Sequence, residues 1–238
     1  MPHNRYYIDA DFCENKSLAI SGDEWHHLTR TARARQGDEV ELVNGRGELA
    51  EARIEELKKN HAELLVGLVV SRPPPPPLIL AQAIPRMNHL EWIVEKATEL
   101  GATSIWLFPG NLSEKDTLSD NQHARLTALS VSAMKQCGRL DLPEILLKPP
   151  LARWEPTEGT FFFGDTAEDA PYLWEMPLVK PLISPVVLLI GPEKGFHLKE
   201  VDFMKHALKA KGARLHPNIL RAETAPLVGL SLIQAVRN

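Results

Sequence analysis

The sequence predicts an α/β chain: a mainly parallel sheet with helices on both sides, preceded by a smaller unit of short strands and turns. Three observations carry this. From Leu78 onward, short apolar stretches alternate with stretches of helical periodicity, the order that builds a parallel sheet. Val186–Ile190 is an unbroken apolar run with three β-branched residues, which reads as a strand buried on both faces. Ser71-Arg72 is followed by five prolines at 73–77, and the composition changes on either side of them.

Bulk properties bound the rest. With 238 residues there is room for one large domain, or for a small and a medium one. A content of 44% hydrophobic and 24% charged residues excludes global disorder. No apolar run is long enough to cross a bilayer, so no membrane partner is expected. Met-Pro-His-Asn-Arg-Tyr-Tyr at the N-terminus lacks the apolar core of a signal peptide. Cys13 and Cys137 give neither a disulfide framework nor zinc-ligand spacing. No metal is expected, and a reducing, cytoplasmic setting fits. The net charge of -4 argues against a whole-molecule polyanion binder, so contact with nucleic acid must use a local basic surface.

Residues 1–72 read as the smaller unit. Between an N-terminal strand and a hairpin lies the segment from His26 to Arg35. If helical, it sets His26, Arg30 and Arg33 along one face by i, i+4 and i, i+3 spacing. Arg5, Arg35 and Arg46 are available to extend a cationic surface, and Tyr6 and Tyr7 to stack on unpaired bases. A solvated helix and two packed tyrosines are the equal alternative. Glu39–Val43 alternates, Asn44-Gly45 signals a tight hairpin, and Ala50, Ala52 and Ile54 alternate on the return. Residues 62–70 supply another strand. Gly45-Arg46-Gly47-Glu48-Leu49-Ala50 matches the loose dinucleotide-binding pattern, but no βαβ unit surrounds it, which argues against a Rossmann dehydrogenase. The prolines of 73–77 favour polyproline II at ~3.1 Å per residue, a stiff interdomain spacer of roughly 15 Å.

Residues 78–238 then read as the α/β domain. A strand at 78–84 leads to a helix marked by Leu90, Ile93, Val94, Ala97 and Leu100, with Gly101 as its cap. Ser104–Phe108 is the next strand, and a helix over about 120–136 runs into Cys137-Gly138-Arg139. A short strand at 160–163 precedes Gly164-Asp165. Val186–Ile190 ends in Gly191-Pro192-Glu193-Lys194-Gly195, and Leu198, Val201, Met204 and Leu208 follow at helical spacing. A strand near 213–215 and a helix from Thr224 complete the pattern.

Two stretches point to chemistry. A buried strand, a Gly-rich turn and a helix place a ligand at the carboxyl end of a sheet, as at 186–196. Ile219-Leu220-Arg221-Ala222-Glu223-Thr224-Ala225-Pro226 combines strand end, charged pair and helix start, with Thr224 as N-cap and Pro226 in the first turn. Backbone N–H groups there can receive an anion or a polar ligand edge. Arg221 and Glu223 alone would pass for a structural ion pair. Two strand-to-helix junctions on one sheet weaken that reading.

These motifs resemble the two C-terminal motifs of the SPOUT RNA methyltransferases, and more specifically those of the ribosomal RNA small subunit methyltransferase E family. His26-His27-Leu28 with Arg33 and Gly37-Asp38 resembles the family's N-terminal domain. Leu90-Glu91-Trp92-Ile93, Lys96-Ala97-Thr98-Glu99-Leu100-Gly101 and Gln136-Cys137-Gly138-Arg139 resemble its central motifs. The matches run in family order over nearly the whole chain. The resemblance implies a small PUA-like β-barrel joined to a SPOUT-type parallel sheet with a C-terminal trefoil knot. It further implies a homodimer that binds S-adenosyl-L-methionine and methylates N3 of a uridine in 16S ribosomal RNA of the small ribosomal subunit.

On that resemblance, the cofactor is held by Leu189, Ile190, Gly191, Pro192 and Gly195 and by Leu220, Ala222, Thr224 and Ala225. Phe163 and Gly164 form a third wall. Arg221 is expected to orient the base or stabilise its anion, and Glu223 to be a polar anchor or a base. Arg5, His26, Arg30, Arg33 and Arg139 are the expected RNA contacts. Methylation at N3 requires no covalent cysteine, so Cys137 is read as packing. The sequence departs from the family at several points. Lys194 stands in place of glycine, and His197 in place of a serine N-cap, which weakens its capping box with Glu200. His216 and Asn218 replace glycine and arginine, and Leu112 an arginine. A SPOUT enzyme with another RNA target, or a non-catalytic RNA-binding or ribosome-assembly protein, are the alternatives. A nucleotide hydrolase fails for want of P-loop spacing, and a zinc deaminase because His61-Ala62-Glu63 has no following Pro-Cys-x-x-Cys.

Overall fold

The structure, a computed structural model, describes residues 4–176 and 184–237. The chain divides into two compact units: residues up to Pro74 together with Val131–Leu142, and Pro75–Ser130 together with the chain from Pro143 onward.

The first unit is built on β1 (Arg5–Tyr7), β2 (Ser17–Ser21), β3 (Glu39–Val43), β4 (Glu48–Leu57) and β5 (His61–Ser71). Their order is β1-β3-β4-β5-β2, with β1 parallel to β3 and the other pairs antiparallel. Among the described residues β1 and β2 do not pair with each other, so the PUA-like sheet is a half-barrel rather than a closed barrel. The expected alternation in β4 is present: Ala50, Ala52 and Ile54 are buried while Glu51, Arg53 and Glu55 are exposed. These residues join Tyr6, Ile20, Leu28 and Leu64 in one core. β2 gave no sequence signal because Ile20 is its one buried residue.

Three expectations about this unit change. The Asn44-Gly45 hairpin forms, but through a four-residue loop at 44–47 rather than a two-residue turn. Asn44 Oδ1 accepts from the backbone N–H of Arg46 (2.9 Å) and Glu48 (3.2 Å), and both glycines take positive φ. The cationic helix face is not built. The helix α1 begins earlier, at Gly22–His26, and continues as a π-helical turn over His27–Thr31, closed by the Ala32 N–H on the His27 carbonyl (3.0 Å). Arg33 lies beyond it with φ +53, so His26, Arg30 and Arg33 are each exposed but share no α-helical stripe. Arg5 is turned inward: its side chain is 9% exposed and its guanidinium meets Glu41 at 2.7 Å.

Both tyrosines pack. Tyr6 is fully buried, and burial, with the charge of Glu24 adding, pushes its hydroxyl up to about 12. Tyr7 lies against Val43, Met134 and Leu140. The packed reading therefore replaces the base-stacking one.

The second unit carries β6 (Leu78–Ala83), α2 (Met87–Glu99), β7 (Ser104–Phe108), α3 (Asp120–Cys137), β8 (Glu144–Leu147), β9 (Thr160–Gly164), β10 (Val186–Ile190), α4 (Leu198–His206), β11 (Lys211–Ala213) and α5 (Ala225–Arg237). The last turns of α3, from Val131, belong to the first unit. The six described strands pair in parallel throughout, in the order β11-β9-β10-β6-β7-β8. Side chains alternate between two cores, as a strand buried on both faces requires. Val186, Leu188 and Ile190 meet α2 and α5 through Leu90, Val94, Leu230 and Ile233. Val187 and Leu189 meet α4 through Met204 on the other side.

Some elements differ from expectation. β8 is an edge strand of four residues with only Ile145 buried, too little apolar signal to be read. β11 ends at Ala213, two residues early, because Arg214 leaves β9 and bridges to Tyr172. Ile219-Leu220 is therefore not a strand end but irregular chain, with Ile219 82% exposed. A local turn sets this up: the Asn218 N–H donates to His216 Nδ1 at 3.1 Å, and Arg214 Nη2 donates to the Pro217 carbonyl at 3.1 Å. Cys137 is exposed rather than packed, since it is the last residue of α3, past the turn that buries Ala133 and Met134.

The order of strands places the site. From β6 the chain proceeds outward to β7 and β8, whereas from β10 it proceeds through α4 the other way, to β11. The neighbours β10 and β6 therefore flank a topological switch point, where a crevice opens at the carboxyl ends of a parallel sheet.

Candidate active site

A cleft of about 620 Å³ lies at that switch point, within the ~300–1,000 Å³ range of small-molecule sites. It is lined by Arg86 and His89 after β6, by residues 163–166 at the end of β9, by 190–196 after β10, and by 214–223 with Ala225 before and in α5.

The turn after β10 is closed on itself. A Cβ built on Gly191 would stand 3.0 Å from the Gly195 carbonyl carbon and 3.2 Å from both Gly195 Cα and Phe196 N, so any side chain there requires the backbone of the turn to give by a few tenths of an ångström. The Gly195 N–H donates to the Pro192 carbonyl at 2.8 Å. Beneath the turn, the buried Gln82 of β6 donates from Nε2 to the carbonyls of Gly191 (3.2 Å) and Ile190 (3.4 Å). The weakened capping box expected at His197 is in fact made: Glu200 Oε2 accepts from the His197 N–H at 2.9 Å, and His197 Nδ1 from the Lys199 N–H at 3.2 Å. Glu200 Oε1 also accepts from the Asn111 N–H at 3.0 Å, so this buried carboxylate ties α4 to the chain after β7.

Charged groups crowd one wall. Glu193 Oε1 accepts from the Arg86 N–H and meets His89 Nδ1, both at 3.0 Å. Burial pushes the Glu193 carboxyl up, but hydrogen bonds from the backbone N–H groups of Arg86 and Glu193 and from His89 outweigh it and hold it below the usual range. Glu223 Oε2 lies 3.8 Å from the same His89 nitrogen, and its Oε1 is 4.0 Å from Arg221 Nη1. The Arg86 guanidinium grips Glu114 with two bonds of 2.9 and 3.2 Å and holds that carboxyl below its ordinary range, with Lys194 adding to the effect. Lys194 itself is exposed on the rim.

Of the residues singled out from the sequence, Phe163, Gly164, Ile190, Gly191, Pro192, Gly195, Leu220, Ala222 and Ala225 line this cleft, as do Arg221 and Glu223. Leu189 does not; its side chain packs into the α4 core. Nor does Thr224 line it, and the free N–H groups expected there are reduced. The Thr224 and Ala225 N–H groups both donate to the Arg221 carbonyl, at 3.0 and 2.9 Å, and Pro226 has none. His26, Arg30 and Arg33 are exposed in the first unit, whereas Arg5 and Arg139 are paired with Glu41 and Asp141. Arg86, His89, Asp165 and Glu193 line the cleft without having been anticipated. The signal was available for the first two. The segment after β6 is a strand-to-helix junction of the same kind as the one after β10, and the same rule applies to both. Among the described residues no group of three or more His, Cys, Asp or Glu side chains is placed to hold a metal ion.

Comparison with known proteins agrees with this architecture. The family model of an RNA methyltransferase domain matches residues 72–234, and that of an RNA methyltransferase PUA domain matches residues 20–67. The ribosomal RNA small subunit methyltransferase E of Bacillus subtilis is 26% identical over 244 residues, covering 96% of this chain and 95% of its own. The protein of the same name from Synechocystis is 28% identical, covering 92% and 73%. Among solved structures, a putative methyltransferase of Legionella pneumophila with bound SAM superposes with a TM-score of 0.87 at 27% identity, covering 98% and 97% of the two chains. The small subunit methyltransferase E of Neisseria gonorrhoeae bound to S-adenosyl methionine gives 0.85 at 25%, covering 99% and 98%. Since the first match spans more than half of its length, the chain belongs to the RNA methyltransferase family, where its relatives are the ribosomal RNA small subunit methyltransferases E.

Proposed function

We propose that this protein transfers a methyl group from S-adenosylmethionine to N3 of a uridine in 16S ribosomal RNA. The observation that carries the reading is the cleft between β10 and β6, whose residues fit that cofactor. Phe163, Ile190, Leu215 and Leu220 supply apolar surface for the adenine ring, and the Gly191 turn brings bare backbone to the cleft wall. Gln82 Oε1, buried beside the turn and without a protein partner among the described residues, leaves an acceptor at its base. The carboxylates of Glu193 and Glu223 complement a sulfonium cation.

The cofactor supplies an electrophilic methyl group. The protein must hold N3 of the base in line with it, remove the N3 proton, and stabilise the charge that then gathers on the flanking carbonyl oxygens. Arg221, exposed at the rim, is the donor for those oxygens, and Glu223 beside it is a polar anchor. The exposed His26, Arg30 and Arg33 take the RNA phosphates in this reading, because Arg5 and Arg139 are committed to Glu41 and Asp141.

The proposal extends to a cytoplasmic homodimer with a C-terminal knot. No helix among the described residues is long and apolar enough to cross a membrane. Trp92 and Leu198 leave exposed apolar surface for a second copy. Small-subunit RNA from cells lacking the gene should be devoid of 3-methyluridine at one position. The purified protein, sedimenting as a dimer, should restore it with S-adenosylmethionine. An unchanged 3-methyluridine level in those cells would refute the reading, and transfer to transfer RNA alone would replace it with a different target.

A further inference from the structure

His89 sits in the first turn of α2, on the wall of the cleft, with 24% of its side chain exposed. Its Nδ1 faces two carboxylates, Glu193 Oε1 at 3.0 Å and Glu223 Oε2 at 3.8 Å. Burial alone would raise the Glu193 carboxyl, but the two backbone N–H groups and His89 keep it ionised, so it can only accept. A carboxylate on Nδ1 fixes the imidazole proton at that nitrogen and leaves the lone pair on Nε2. No partner for Nε2 occurs among the described residues. One nitrogen held by an acid and the other without a protein partner is the arrangement a general base requires.

We propose that His89 is the general base of the methyl transfer, with Nε2 taking the N3 proton of the bound uracil. The inference rests on the function proposed above. In the step, the N3–H bond breaks and its proton passes to Nε2. The electron pair left on N3 bonds to the methyl carbon as the carbon–sulfur pair returns to sulfur, giving a neutral thioether, and His89 later releases its proton to solvent. Glu223 and Glu193 are less suited to this task. Imidazole is the stronger base, with a reference pKa of ~6.5 against ~4.3 for a glutamate, and a weakly acidic N–H calls for the stronger base. The other charged side chains that line the cleft are Arg86, held by Glu114, Asp165, the exposed Lys194, Arg214 and Arg221.

The test combines three readouts. Nitrogen-15 spectra of the cofactor-free protein should show His89 as the Nδ1–H tautomer, and an Nε2–H tautomer would overturn the assignment. Single-turnover methylation of small ribosomal subunits lacking the mark should slow ~10²-fold or more in His89→Ala. Its cofactor affinity by calorimetry should stay within about twofold, and added imidazole should restore part of the rate, which a structural role would not allow. A variant within about threefold of wild type removes His89 as the base. A wild-type protein that binds cofactor yet methylates no ribosomal RNA would overturn the proposed function instead, and the base with it.

Discussion

Gly191→Val should abolish cofactor binding while leaving a folded protein. The added Cβ would meet three backbone atoms of Gly195 and Phe196 at 3.0–3.2 Å, and backbone cannot swing aside as a side chain can. The turn must open, which redirects the carbonyls that Gln82 holds. Overpacking costs ~1–3 kcal/mol in stability, so the melting temperature should fall by only a few degrees. Affinity for S-adenosylmethionine should drop at least ~100-fold, about 2.8 kcal/mol. Titration calorimetry on the two proteins decides it: wild-type affinity in the variant would mean that the cofactor sits elsewhere.

Arg221→Ala should behave in the opposite way, binding cofactor normally and failing at transfer. The side chain is 84% exposed and 4.0 Å from Glu223, so the ion pair is a surface contact worth ~0–1 kcal/mol at most. What Arg221 does for the fold it does through its carbonyl, which accepts from the Thr224 and Ala225 N–H groups and is kept in alanine. Stability should therefore be almost unchanged. Removing a donor aimed at developing negative charge costs ~10²–10³ in rate, and the loss should appear in kcat rather than in cofactor affinity. Full transfer by the folded variant would sink the role given to Arg221.

How much of this was written in the sequence differs from element to element. Val186–Ile190 was legible because a strand buried on both faces has no choice but to be apolar throughout, and all five residues are buried. The Gly191 turn was legible for the same kind of reason, since a backbone closing on itself leaves little room for a side chain. The Asn44 hairpin was legible in kind but not in length, which Asn44 sets by bonding two N–H groups of its own loop. The helix near His26 misled, because nothing in local spacing distinguishes an α-helical turn from the π-helical one that follows. β2 and β8 carry one buried residue each and offer periodicity nothing to detect. The His89–Glu193 pair could not be read at all: the two residues are 104 positions apart, and only the order of strands makes them neighbours.

The placing of β10 between β9 and β6 has a consequence for the protein while it is being made. All six residues of β6 are buried in the finished sheet, and one of its edges is covered only when 186–190 pair with 78–82. A ribosome has already delivered β6, β7 and β8 when that edge is still open, and an open apolar edge is a template for other chains. Chains released before residue 186 should thus pellet on centrifugation, and those extended through Ile190 and α5 should stay in solution. Equal solubility of the two would show that something else shields β6. The same topology delays the cleft, which needs Arg86 from the first part of the α/β unit and Ala225 from α5. That wall of the cleft stays incomplete until α5 has been made.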